Sequence, residues 1–227
     1  MQRNQVIQAA LDLFDAPSYL EIGVCDGLTF HGVSARRKVA VDPAFRFDTD
    51  AARADPANAG AVYHAITSDD YFNGPGTNET FDVIFVDGLH TFDQTLRDLL
   101  NATERLRPGG VIVIDDVLPM TYGASIRDEH ESMIVRDRVE NGEKAWMGDV
   151  FRLVFFIRDY MPSWRYATTT GNHGQLVMWR QPRGHDVAPL SVEAVSRRDY
   201  GDVVRHPEAY RFAAMPDIVA AIRATRG

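Results

Sequence analysis

The stretch that most constrains the fold is Ser18 to Gly27, S-Y-L-E-I-G-V-C-D-G. Tyr19, Leu20, Ile22 and Val24 favour a buried strand, and Gly23 and Gly27 permit the positive φ or close backbone approach of a turn built around a ligand. The spacing is E-x-G-x-x-x-G. It lacks the G-x-G-x-x-G that lays a dinucleotide pyrophosphate on a helix N-terminus, and Glu21 and Asp26 put negative charge where that pyrophosphate would lie. The turn therefore disfavours a nicotinamide dehydrogenase and suits a cationic or phosphate-free ligand.

Four further apolar runs repeat the strand pattern. Lys38 to Val41 ends in Asp42, and Ala61 to Ile66 is followed by Thr67-Ser68-Asp69-Asp70. Val83 to Val86 runs into Asp87-Gly88-Leu89-His90, and Val111 to Ile114 into Asp115-Asp116. Helical spacing is expected over Gln5 to Phe14, over Phe30 to Arg37, and from His90 to Leu106, where Arg107-Pro108-Gly109-Gly110 stops it. Strands alternating with helices predict an α/β fold with a parallel sheet, whose ligands bind outside the carboxyl ends of the strands. Asp42 is placed there to accept hydrogen bonds from ribose hydroxyls; capping a helix before Pro43 is its bland alternative. Ser68 and Asp69 either contact a base or cap the short helix that follows.

The crossover from His90 to Gly110 makes the fourth and fifth strands parallel neighbours, which brings Asp87 close to Asp115 and Asp116. Carboxylates at that range raise one another's pKa unless a cation intervenes, and an oxygen-only ligand set suits magnesium, calcium or manganese. Consecutive strand residues point to opposite faces, so both acids of the pair reach one ion only if a turn begins at the strand's end. The bland alternative is that one acid binds metal or substrate while the other caps the next segment. His90 is either a general base or a residue tied to Asp87 at a helix start.

The residues 227 in number suffice for one α/β domain spanning 1–227, and a net charge of −8 argues against a nucleic-acid surface. A small neutral or cationic partner fits better. Cys25 is the only cysteine, so neither an internal disulfide nor a thiolate zinc cage is available. No apolar run is long enough to span a bilayer and none follows a basic start, so a cytoplasmic protein with no membrane partner is expected.

The segment E-I-G-V-C-D-G resembles the first motif of the class I S-adenosylmethionine-dependent methyltransferases. That resemblance implies a Rossmann-like, seven-stranded, mostly parallel sheet with an antiparallel last strand and helices on both faces. It implies cofactor contacts from Glu21, Gly23, Asp26, Gly27, Asp42, Ser68, Asp69 and Asp87. Asp87-Gly88-Leu89-His90 followed by Asp115-Asp116 is similar to the metal-dependent sugar O-methyltransferases of macrolide biosynthesis, the macrocin and mycinamicin type. In that group the residues matching Asp87, Asp115 and Asp116 hold magnesium, and the histidine matching His90 is the general base. The similarity covers Tyr19 to Asp116. The implied activity is methylation of a hydroxyl on a sugar or other small natural-product or glycan acceptor; a metal-free transferase and a cofactor-binding module without catalysis stay open.

Beyond Asp116, a loop and a charged helix from about Ser125 to Val139 precede a second helix from Trp146 to Tyr160. Region 119–160 is a substrate lid or a solvated surface, and Asp149 and Arg152 either reach the substrate or form an ordinary cap and ion pair. Trp164 to Thr168 and Gln175 to Trp179 flank a Gly171 to Gly174 turn that carries His173, and predict an antiparallel pair. In the tail, 182–227, a helix from Pro216 to Arg226 presents Ile218, Val219 and Ile222. They pack on the domain or on a second subunit of a homo-oligomer.

Overall fold

The computed structural model describes residues 1–139, 145–184 and 189–226. In chain order the first half contains α1 (Arg3–Leu11), β1 (Ser18–Ile22), α2 (Leu28–His31), β2 (Arg37–Val41), α3 (Thr49–Ala54), β3 (Ala61–His64), α4 (Ser68–Asn73) and β4 (Phe81–Val86). It continues with α5 (Phe92–Arg105), β5 (Leu106–Ile114), α6 (Glu129–Val139), α7 (Arg152–Tyr160), β6 (Trp164–Thr168), β7 (Leu176–Arg180), α8 (Val192–Ser196), α9 (Tyr200–Arg205) and α10 (Met215–Arg223). The strands form one seven-stranded sheet in the order β3-β2-β1-β4-β5-β7-β6. Strands β1 to β5 pair in parallel, and β7 runs antiparallel to both β5 and β6. This is the expected doubly wound architecture, with its switch point between β1 and β4.

Period-two alternation sorts the strand residues into two cores. Leu20, Ile22, Val39, Val41, Ile84, Val86, Ile112 and Ile114 face one side, against Phe72 of α4, Leu99 of α5 and Leu153, Val154 and Ile157 of α7. Tyr19, Ala40, Val83, Phe85, Val111 and Val113 face the other, against Val6, Ile7, Ala10 and Leu11 of α1 and Ile218 and Ile222 of α10. The apolar face of α10 thus finds its partner within the domain.

Several boundaries differ from expectation for local reasons. Helix α2 is a single turn because Gly32 follows it, and Lys38 is buried beneath it with its ammonium donating to the Phe30 and Val33 carbonyls and to Asn58. Helix α7 begins at Arg152 rather than Trp146, since residues 145–148 form a loop in which Gly148 takes φ +57°. A Cβ at Gly148 would fall on the carbonyl oxygen of His90. That loop is therefore pressed directly against the end of the Asp87–His90 segment.

Candidate active site

Ladder hydrogen bonds continue one residue past each central strand and fix the sheet's carboxyl edge. Gly23 N donates to Val41 O at 2.9 Å, Asp87 N to Ile22 O at 2.8 Å, Asp42 N to His64 O at 3.2 Å and Asp115 N to Val86 O at 3.1 Å. Gly23 sits at φ +82°, and a Cβ there would overlap the Asp87 carbonyl. Only glycine lets β1 and β4 close together at this point. Above the edge opens a cavity of about 510 Å3, lined among others by Gly23, Asp42, Ser68, Asp69, Asp87, His90, Gln94 and Trp146. Its size is that of a site for a small cofactor.

Asp42 shapes one end of the cavity. Its Oδ2 accepts from the backbone N–H groups of Val24 and Cys25 at 2.9 and 2.8 Å, and its Oδ1 accepts from Ala44 N at 2.7 Å. The glycine turn is thus moulded around the Asp42 carboxylate. Ser68 and Asp69 open α4, but the capping oxygen is Thr67 Oγ1, which accepts from Asp70 N at 3.1 Å. That leaves both on the wall, where Gln94 approaches Ser68 Oγ at 3.3 Å and Asp98 Oδ1 at 3.2 Å. Burial pushes the Asp98 carboxyl up to about 6.

Three expected cofactor residues are not brought to the cavity wall. Glu21 lies two residues from Tyr19 on the α1 side of the sheet, buried, with Tyr19 Oη donating to it at 2.5 Å, and burial pushes its carboxyl up to about 8. Asp26 is exposed and its Oδ1 accepts from Leu28 N at 3.1 Å, at the start of α2. Gly27 turns the chain into that helix at φ +79°, where a Cβ would strike the His31 ring. Strand parity turns Glu21 away, Asp26 faces solvent, and Gly27 is buried against the His31 ring.

At its other end the cavity is lined by Asp87 and His90, behind which lies the buried acidic cluster. Asp116 adopts φ +56°, which breaks the strand alternation and turns its carboxylate to the same side as that of Asp115. Arg3, the first residue of α1, enters between the carboxylates. Its Nε lies against Asp115 Oδ2, with Nη2 at 3.6 Å from Asp116 Oδ1 and Nη1 at 3.8 Å from Asp87 Oδ2. Burial opposes the Arg3 charge, but the three aspartates outweigh it and raise its pKa. Burial, then Asp115 and Asp116, push the Asp87 carboxyl well above the ordinary range, while burial and Asp116 push Asp115 up to about 6.

His90 closes the cluster from the opposite side. Nδ1 is 2.8 Å from the Trp146 carbonyl and 3.2 Å from Asp116 Oδ2, and Nε2 is 3.7 Å from Asp87 Oδ1. A carbonyl only accepts, so Nδ1 carries a proton, and in the neutral imidazole the lone pair is then on Nε2. The indole of Trp146 stacks on the imidazole with ring centroids 5.2 Å apart. Among the described residues, Asp87, His90 and Asp116 can each offer one ligand atom within 4.8 Å of the others. Asp115 is instead held by Arg3 and by Gln175 Nε2, which donates to its Oδ1 at 2.7 Å. The expected trio of Asp87, Asp115 and Asp116 is therefore gathered in one place, with its third member already engaged by a cation from the chain.

These residues fit a divalent cation on two grounds. Asp115 Oδ2 and Asp116 Oδ1 are buried and, although Arg3 lies against both, make no hydrogen bond of acceptable geometry, and a recess of about 10 Å3 lies among Asp87, His90, Asp115 and Asp116, room for about one water-sized species.

Sequence reasoning missed Arg3, Gln94, Trp146 and Gln175, and treated His173 only as a turn residue. His173 Nδ1 lies 3.4 Å from Asp116 Oδ1, and that contact, ahead of an opposing burial effect, raises its pKa. The antiparallel pairing of β7 with β5 was the available signal, since it brings the Gly171–Gly174 turn beside Asp115 and Asp116. Asp149 is a structural residue: Phe92 N at the start of α5 donates to its Oδ1 at 2.6 Å, while Arg152 and Arg127 pair with its Oδ2.

Residues 20–117 match the profile of a family described as a methyltransferase domain. The match takes in the glycine turn, Asp42, the cavity wall apart from Trp146, and the acidic cluster apart from Arg3. A comparison with curated proteins returned no match. Among solved structures, a Bacillus cereus O-methyltransferase in complex with S-adenosylhomocysteine superposes with TM-score 0.52 at 22% identity, covering 78% of this chain and 79% of that one. The cofactor-bound Rv0187 from MTB gives 0.53 at 17%, covering 80% of each chain. The O-methyltransferase TomG from Streptomyces achromogenes, involved in tomaymycin synthesis and bound to S-adenosylmethionine, gives 0.50 at 18% with 79% of each. The chain thus has the class I methyltransferase fold. No described helix is long and apolar enough to cross a membrane.

Proposed function

We propose that this chain transfers the methyl group of S-adenosylmethionine to a hydroxyl oxygen of a sugar or other small natural-product or glycan acceptor. The observation that carries the reading is one cavity with Asp42 at one end and the free Nε2 of His90 at the other. Gly23, Asp42, Ser68, Asp69 and Asp87 are its cofactor-binding residues. The O-methyltransferases with related folds, two of them bound to this cofactor or its product, support the same reading.

In the transfer, an acceptor oxygen attacks the sulfonium methyl carbon in line, the carbon–sulfur bond breaks, and S-adenosylhomocysteine leaves. The acceptor's proton passes to Nε2 of His90. Trp146 holds the ring by its carbonyl and its stacked indole, so the lone pair is oriented before substrate arrives. Positioning of the two reactants supplies most of the rate, and the base contributes about 10²–10⁴-fold.

Asp87 and Asp116 are the carboxylates that would hold a divalent cation such as Mg2+, with His90 or Asp115 as the adjoining donor. Such an ion would lower the pKa of an acceptor hydroxyl. A second reading, transfer without metal, is favoured by one observation: Arg3 already brings positive charge to all three aspartates.

The test is calorimetric titration of S-adenosylhomocysteine into the protein, followed by a panel of hydroxylated sugars with labelled S-adenosylmethionine, with and without chelator. Binding of the product analogue and label transfer to a hydroxyl support the proposal. Failure of the analogue to bind would overturn it at its first step, and chelator-insensitive turnover would select the metal-free form.

A further inference from the structure

The carboxylates of the cluster divide their oxygens between two sides. Arg3 faces Asp87 Oδ2 and Asp116 Oδ1, whereas His90 faces Asp87 Oδ1 and Asp116 Oδ2. Asp115 has no exposed side-chain surface and gives one oxygen to Gln175 and the other to Arg3. Arg3 Nε, Asp115 Oδ2 and Asp116 Oδ1 are all buried and lack a hydrogen bond of acceptable geometry, although they crowd together. The guanidinium is held there by charge rather than by a matched fork of hydrogen bonds. It supplies one positive charge to three carboxylates.

We infer that Arg3 is the resident counter-cation of the Asp87–Asp115–Asp116 cluster and that a divalent ion and the Arg3 guanidinium compete for it. With Arg3 engaged, Asp115 is occupied and the ligand-type atoms left together are those of Asp87, His90 and Asp116. With Arg3 withdrawn, Asp115 Oδ2 becomes a third carboxylate ligand and His90 Nε2 is left to act as base. Arg3 is in this sense a positioning residue: it decides which three donors face the substrate. Its side chain is one-third exposed, so it can swing outward from the first turn of α1 without unpacking Val6 and Ile7, which anchor that helix. The inference rests on the methyltransferase reading of the cavity.

The experiment compares the full chain with Arg3→Met and Arg3→Lys by Mn2+ titration, followed by calorimetry and by electron paramagnetic resonance of free Mn2+. S-Adenosylhomocysteine titration runs alongside. Removing a positive charge from within about 4 Å of the ligand oxygens should tighten Mn2+ binding about tenfold or more in Arg3→Met, with Arg3→Lys close to the parent. Mn2+ should also raise the melting temperature of Arg3→Met more than that of the parent. If Arg3→Met does not fold, the double variant Arg3→Met/Asp115→Asn removes one charge of each sign and serves in its place, with Asp115→Asn alone as its reference. Equal Mn2+ affinity in parent and Arg3→Met, or in the double variant and its reference, would overturn the inference while leaving product binding intact. Loss of S-adenosylhomocysteine binding by the unmodified protein would instead overturn the reading on which it rests.

Discussion

His90 and Trp146 lie face to face with an interplanar angle of 23°, and the imidazole Nδ1–H donates to the Trp146 carbonyl at 2.8 Å. The two residues are 56 positions apart, and Gly148 is what lets their segments touch. This pairing fixes the tautomer in which Nε2 is basic. Replacement of His90 by Gln should lower kcat by about 10²–10⁴-fold while leaving S-adenosylhomocysteine affinity within a few-fold of the parent. Steady-state turnover on any accepted hydroxyl and calorimetry on the same protein would check the split; a parallel loss of cofactor affinity would count against a base.

Asp42 predicts a different pattern. Its carboxylate accepts from two backbone N–H groups of the turn and from that of Ala44, and hydrogen bonds to a charged acceptor are each worth about 1.5–3 kcal/mol. Asp42→Asn should weaken S-adenosylhomocysteine binding by about tenfold or more, with little change in kcat at saturating cofactor. Isothermal titration and a KM series would measure this.

Glu21 gives a pH signature. Buried under α1, its folded pKa of about 8 stands above the usual carboxylate value, so the folded chain keeps a proton that the unfolded chain has released. Its contribution is full below the unfolded pKa near 4.5 and is lost as pH rises toward 8. Glu21→Gln keeps a neutral acceptor for Tyr19 and should be less sensitive to pH across that window, gaining on the parent in melting temperature at the alkaline end. Matched thermal unfolding from pH 5 to 9 is the measurement, and identical slopes would refute the assignment.

Asp149 should behave as a structural residue. Asp149→Ala removes the capping acceptor of Phe92 N and leaves Arg152 without its buried partner, a loss of about 1–3 kcal/mol in urea unfolding. Sub-saturating turnover of the folded fraction should stay near that of the parent.

The fold was legible because each central strand is an apolar run closed by an acid or a glycine, and that punctuation survives without any tertiary knowledge. Asp42, Asp87, His90, Asp115 and Asp116 were legible for the same reason, being what stands at strand ends. Glu21 was misplaced because a motif gives spacing but not the side of the sheet, which strand parity decides. Asp116 escaped the parity objection only through its left-handed backbone, a conformation no residue type near it announces. Arg3 and Trp146 could not be read at all: neither stands at a strand end, and each reaches the site from an element that sequence proximity leaves far away. The apolar face of α10 was legible as needing cover, and its partner emerged only once α1 lay beside it.

The sheet separates two cores that do not mix, and the proposed site is where they are stitched together past its rim. Arg3 comes from the layer built on Val6 and Ile7; His90 leads into the layer built on Phe92 and Leu99. Neither layer alone assembles the constellation. A chain with one layer collapsed and the other still forming would hold cofactor turn and aspartates without the arginine or without the imidazole. Catalytic competence should therefore be the last property to emerge during refolding and the first lost on mild unfolding, before the sheet itself melts.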